Sequence, residues 1–160
     1  TEIYTLSLHD ALPILASGFL ILVGYGATLT EIVVSGWLYL TVISGAFFLG
    51  LGKRRNELQR QGNIDSTREV LQFYSYNFLD KNMYVSLALT NAFYSLWAMS
   101  KSDNRIIWSV PVFMLVMMKY SLNIEGNSDG DPIEVILRDK GLLILCSVLA
   151  VLLIGIMYIL

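Results

Sequence analysis

Ile32 to Leu58 reads IVVSGWLYLTVISGAFFLGLGKRRNEL, an uncharged apolar run through Gly52 that stops at the consecutive cations Lys53, Arg54 and Arg55. A helix needs roughly 20 predominantly apolar residues to cross a bilayer core of about 30 Å, and a basic flank marks the side on which it stops. The stretch therefore reads as a membrane span followed by a headgroup-level cluster. Four further stretches fit beside it. Gly141 to Leu160 and Met83 to Ser100 are also uncharged, and Ile106 to Ile124 is interrupted only by Lys119, whose long side chain can snorkel to the headgroups. Leu15 to Thr30 is shorter and broken by glycines. The predicted fold is all-α, a polytopic transmembrane helical bundle with spans near 15–30, 32–52, 83–100, 106–124 and 141–160, joined by polar loops at 53–82 and 125–140.

Composition agrees. The 160 residues are 55% hydrophobic and 15% charged, with a mean hydropathy of +0.59, whereas soluble domains carry about 25% charge. A net charge of -2 provides no field for nucleic acid. One cysteine, Cys146, lies inside an apolar run and one histidine, His9, near the start, so neither a disulfide framework nor a cysteine or histidine metal site is expected. Thr1 to Ile14, TEIYTLSLHDALPI, lacks the basic region of a signal peptide. It resembles translated sequencing-adapter sequence. The expectation is that the native chain resumes near Leu15, mid-helix, that an N-terminal half is missing, as the absence of an initiator Met agrees, and that His9 has no role.

Threading five spans alternately places Lys53, Arg54, Arg55, Arg60, Arg68, Lys81, Lys119, Arg138 and Lys140 on one side, nine of the 11 basic residues, and leaves Lys101 and Arg105 on the other. The positive-inside bias puts the larger group in the cytoplasm. Both long loops then share that face, and function is sought there. Tyr25, Tyr84, Tyr94, Trp97 and Trp108 fall near span ends, as an interfacial aromatic belt requires. Asn91, polar in mid-span, should face protein. The Met-rich VFMLVMMKY suits packing rather than a cofactor box.

In the first loop, Lys53 and Glu57 are four residues apart with Arg54 beside them, so a helix continuing from the span presents cations and a carboxylate at the membrane mouth. Such a group suits a phosphorylated ligand, with arginine able to bind two oxygens at once. A basic stop-transfer cluster resting on anionic lipid explains the same residues, and composition alone favours it. Gly62 and Asn63 read as a break, and Ser66 with Glu69 as a capping box. That box predicts a helix from Thr67 with Val70, Phe73, Tyr74 and Phe78 on one apolar face and Arg68 in its first turn. The second loop, GNSDGDPIEVILRDK, has Asp131 as an N-cap and Pro132 at the first helical position, which predicts a short interfacial helix from Pro132 to Lys140. Arg138 and Asp139 either reach a polar cavity or serve as a solvated face and a helix-end charge.

Taken together, LGKRRNEL after a span, then REVLQFYSYNFLD, then GDPIEVILRDK before the last span resemble the C-terminal half of the UbiA prenyltransferase superfamily, most closely its decaprenyl-phosphate phosphoribosyltransferases. The resemblance covers roughly Leu15 to Leu160 and implies a UbiA-like bundle of which five of about nine helices are present. It implies further that phosphoribosyl diphosphate donates ribose 5-phosphate to a polyprenyl (decaprenyl) phosphate lipid, with Mg²⁺, at a cytoplasm-facing cavity of the bacterial cytoplasmic membrane, in cell-envelope precursor synthesis. Residue by residue, it assigns Lys53 and Arg54 to phosphate contacts, Glu57 to metal or ribose hydroxyls, Arg68 and Tyr74 to the donor pocket, and Arg138 and Asp139 to a weaker contact from the last loop. KRRNEL stands where prenyltransferase relatives have DxxxD, and replacing acids by cations favours a donor with an extra phosphate. The family's first Asp-rich motif is absent, so the main Mg²⁺ ligands are expected in the missing half and this exact polypeptide is expected to be inactive. Two other readings stand beside this one: a UbiA-type prenyltransferase acting on an aromatic acceptor, and a small non-enzymatic membrane protein. A homo-oligomer is left open.

Overall fold

The computed structural model describes residues 35–61, 75–102, 104–125 and 132–158. The elements are α1 (Gly36–Gln61), α2 (Tyr76–Met99), a 3₁₀ segment (Asn104–Trp108), α3 (Ser109–Glu125), α4 (Pro132–Arg138) and α5 (Lys140–Tyr158), with no strand among the described residues. The 15–30 span lies outside them, as do Arg68, Tyr74, the Ser66–Glu69 capping box and Asp131.

Two helical stretches, Gly36–Gln59 and Arg105–Glu125, are long and apolar enough to cross a membrane, and Lys140–Ile156 is a shorter apolar helix. Of the five expected spans the described residues thus provide two by this measure. The helix over 83–100 is present, but it begins at Tyr76 and so takes Asp80 and Lys81 into its first turns.

The expected loop boundaries shift for a physical reason. α1 does not stop at Gly52, because Lys53, Arg54, Arg55, Glu57 and Leu58 are good helix formers that continue the hydrogen-bond ladder. At 1.5 Å per residue, its 26 residues extend about 39 Å, some 9 Å more than a ~30 Å hydrocarbon core. α2 starts where Ser75, in extended conformation, accepts the Phe78 N–H at 3.2 Å. Phe78 therefore belongs to α2. The final short helix ends at Arg138, and Asp139 opens the next one.

Packing alternates direction along the chain. α1 and α2 pair along their length, α3 returns beside α2, and α5 packs on α3. Small and hydroxylated side chains bring α1 and α2 close, as membrane helices require where lipid competes for apolar contacts. Ser44 donates to the Leu40 carbonyl and accepts from Thr90 at 3.1 Å, and Gly45 leaves room for Thr90 Cγ2. Asn91 is half-buried, with Oδ1 shielded from solvent, and its Nδ2 donates to the Leu87 carbonyl of its own helix.

Two apolar clusters fill the two ends. Phe48, Met83, Tyr120, Ile124, Val135 and Leu142 form the one beneath the basic cluster. Tyr94, Trp97, Ala98 and Ile106 form the other, joined by Leu38, Phe113, Leu153 and Ile156. Tyr94 and Trp97 are thus core residues and not belt residues: the Tyr94 ring stacks on Phe113 at 4.0 Å, and its hydroxyl donates to Ser109. Trp108, 71% exposed, keeps the belt position. The Met-rich run is divided, with Met117 packed on the core and Met114 and Met118 facing outward.

Candidate functional site at the basic end

One helical stripe of α1 explains how the site is built. Phe48, Gly52, Arg55 and Asn56 recur at the spacing of a single helix face, and all four are buried. Gly52 leaves room for side chains of α2 and α3: a Cβ there would sit 3.1 Å from Ile124 Cδ1 and 3.4 Å from Met83 Sδ. One turn further on, the stripe becomes polar. Both polar side chains on it reach another helix.

Arg55 is buried and reaches α2, with Nε 2.6 Å from Asp80 Oδ1 and Cζ 5.0 Å from the centroid of the Tyr76 ring. A buried guanidinium is tolerable only with a countercharge, and Asp80 provides one. Asn56 Nδ2 donates to the Ile124 carbonyl at 2.9 Å, satisfying an acceptor in the last turn of α3. Next to it, the Tyr84 hydroxyl donates to the carboxylate of Glu125.

A third connection closes the end. Asp139 accepts from Asn123 Nδ2 at 2.8 Å and pairs with Lys119 Nζ at 3.0 Å, both on α3. Its other oxygen caps α5, accepting the N–H groups of Gly141 at 2.7 Å and Leu142 at 3.2 Å. These donors, Lys119 first and Asn123 next, lower its carboxyl from the usual 3.8 to about 2, while desolvation opposes them. Lys119, expected to snorkel to headgroups, thus has a fixed partner.

The sequence-predicted residues separate accordingly. Lys53, Arg54 and Glu57 are half-buried and share the flank of α1 that faces away from the Arg55–Asn56 stripe. Glu57 Oε2 is shielded from solvent and has no hydrogen-bond partner among the described residues. Arg138 is exposed at the end of α4. Asp139 faces α3 and the head of α5. The structure therefore brings Lys53, Arg54 and Glu57 together and places Arg138 and Asp139 at the same end of the bundle, on α4 and at the start of α5. Arg55, Asn56, Asp80 and Glu125 are not among the sequence-predicted site residues, and the periodicity through Phe48 and Gly52 is the signal that would mark the first two as inward-facing.

Among the described residues, no three His, Cys, Asp or Glu side chains gather into a metal-binding set. They do not by themselves make a Mg²⁺ site, since Glu57 offers one carboxylate and Asp80 and Asp139 are engaged with Arg55 and Lys119.

Among the described residues, an all-helical bundle with two helices long and apolar enough to span a membrane, and a basic, internally braced end, fits the class of membrane-type helical proteins. Comparison with known proteins makes this more particular. The chain is 28% identical over 145 residues to a decaprenyl-phosphate phosphoribosyltransferase of Mycolicibacterium smegmatis, an alignment covering 82% of this chain and 46% of that protein. It is likewise 28% identical over 136 residues to the Mycobacterium tuberculosis enzyme of the same name, and 27% identical over 154 residues to that of Corynebacterium glutamicum. No family model matches the chain. The resemblance read from the three motifs is borne out by these homologues, and the chain spans under half of their length.

Proposed function

We propose that the complete protein is an integral membrane transferase that moves 5-phosphoribose from phosphoribosyl diphosphate to a polyprenyl phosphate and releases diphosphate. The supporting observation is the geometry of KRRNE: Arg55 and Asn56 face the neighbouring helices, and Lys53, Arg54 and Glu57 lie on a separate, half-buried flank. Two cations and one carboxylate suit a donor bearing phosphates and ribose hydroxyls.

In this reading the lipid phosphate oxygen attacks the anomeric carbon as the bond to diphosphate breaks. Positive charge develops on the ribose and negative charge on the leaving group. Lys53 and Arg54 neutralise the departing oxygens, the kind of fixed electrostatic stabilisation that lowers such barriers most. Glu57 Oε2 accepts from a ribose hydroxyl. Mg²⁺ belongs to the proposal only through the family resemblance read from the three motifs, with ligands beyond Glu57 drawn from outside the described residues. The basic end then faces the cytoplasm in a bacterial cytoplasmic membrane, and the product serves cell-envelope precursor synthesis. Arg68 and Tyr74 keep their proposed place at the donor pocket.

The test is transfer of labelled ribose phosphate to polyprenyl phosphate in membranes holding the full reading frame. Label in the lipid phase supports the reading. Label left in the aqueous phase, with intact protein in the membrane, contradicts it.

A further inference from the structure

The connection through Asp139 spans more of the bundle than a helix cap needs. One oxygen caps α5, while the other takes the ammonium of Lys119 and the amide of Asn123, residues one turn apart on α3. The next residue, Ile124, offers its carbonyl to Asn56 of α1, and Glu125 accepts from Tyr84 of α2. The last turn of α3 is thus gripped by α1, α2 and the start of α5. Each grip uses a side chain whose length fixes the register of its helix. Gly141 adds a steric reason for the arrangement: a Cβ there would lie 3.1 Å from Asp139 Oδ1, so its hydrogen sits where the capping carboxylate approaches.

We infer that Asp139 is a positioning residue and not a ligand contact. With Lys119 and Asn123 it clasps α3 to α5, and through the Ile124 carbonyl and Asn56 it fixes how α1 presents Lys53, Arg54 and Glu57. This role rests on the proposed phosphate-binding reading for those three side chains, whereas the clasp itself does not. It also departs from the sequence expectation, in which Asp139 contacts the donor: among the described residues, the hydrogen bonds of its two oxygens run to α3 and to the α5 amides.

Hydrogen exchange of the 160-residue chain in detergent micelles tests the inference without any need for activity. A cap acts locally, within its own first turn, whereas a clasp transmits. For Asp139→Ala, exchange is expected to quicken roughly tenfold or more at amides 140–143, 119–125 and 53–58, with 36–45 unchanged, as for the loosening of one cooperative unit. Lys119→Gln removes the ion pair and leaves the cap. It is expected to quicken 119–125 and 53–58 about threefold, in the range of a partly exposed pair, while sparing 140–143. A change confined to 140–143 in Asp139→Ala, or no change at 53–58 in either variant, overturns the inference. Should Asp139→Ala not fold, Lys119→Gln decides alone. Should the transferase assay fail while exchange spreads to 53–58, the clasp stands and the phosphate reading falls.

Discussion

Asn56 Nδ2 lies 2.9 Å from the carbonyl oxygen of Ile124 and donates to it, so a motif on one helix satisfies the C-terminal turn of another 68 residues away in sequence. Removing that donor leaves a buried acceptor without its partner, at a cost of about 1–3 kcal/mol. Asn56→Leu is therefore expected to lower the unfolding free energy in detergent by that amount. Asn56→Gln, which keeps the amide, should recover part of it.

Gly52 separates two opposing effects. An added methyl gains about 0.5–1 kcal/mol in helix propensity, yet it meets Ile124 Cδ1 at 3.1 Å. That contact is the flexible end of a side chain, so Gly52→Ala is expected to stay within about 1 kcal/mol of the parent. Gly52→Leu must displace Met83 and Ile124 together and should cost more than about 2 kcal/mol. Thermal midpoints of the two variants, measured side by side, check the contrast.

A pH series tests the Asp139 clasp separately. Its carboxyl is depressed in the folded state, from 3.8 to about 2. Stability from the charged form is then fully present above about 4 and is lost as pH falls through about 2. The stability gap between the parent and Asp139→Asn should hold constant from pH 7 to about 5 and close between about 4 and 2. A gap that closes near neutral pH would point to another group.

The three motifs and the spacing of their apolar runs made the helical class legible, and the fusion of the basic cluster onto the preceding span was readable too, because nothing after Gly52 breaks a helix. What was not legible depended on contacts between helices. Tyr94 and Trp97 look like belt residues by position, yet α3 and the 3₁₀ segment cover them. Asp139 looks like a solvated acid until Lys119 and Asn123 are brought one turn apart beneath it. In the KRRNE motif, Arg55 counts by composition as one more cytoplasmic cation, and nothing local says that Asp80 and Ile124 await it and Asn56.

Arg54 distinguishes a phosphate site from a lipid-facing cluster. A polybasic surface responds to charge, so Arg54→Lys should leave attraction to anionic vesicles within about a factor of two. A guanidinium that grips two phosphate oxygens is not replaced by an ammonium. The same exchange should then weaken diphosphate inhibition of transfer by roughly tenfold, about 1.4 kcal/mol.

The most direct measurement offers membranes containing the full reading frame, parent or Lys53→Ala, two donors in parallel: labelled phosphoribosyl diphosphate with polyprenyl phosphate, and labelled prenyl diphosphate with an aromatic acceptor. Transfer is expected from the first donor only, reduced at least about 100-fold by loss of the Lys53 ammonium, in the range seen when a stabilising charge is removed. Turnover of the second donor, indifferent to Lys53, would contradict that expectation.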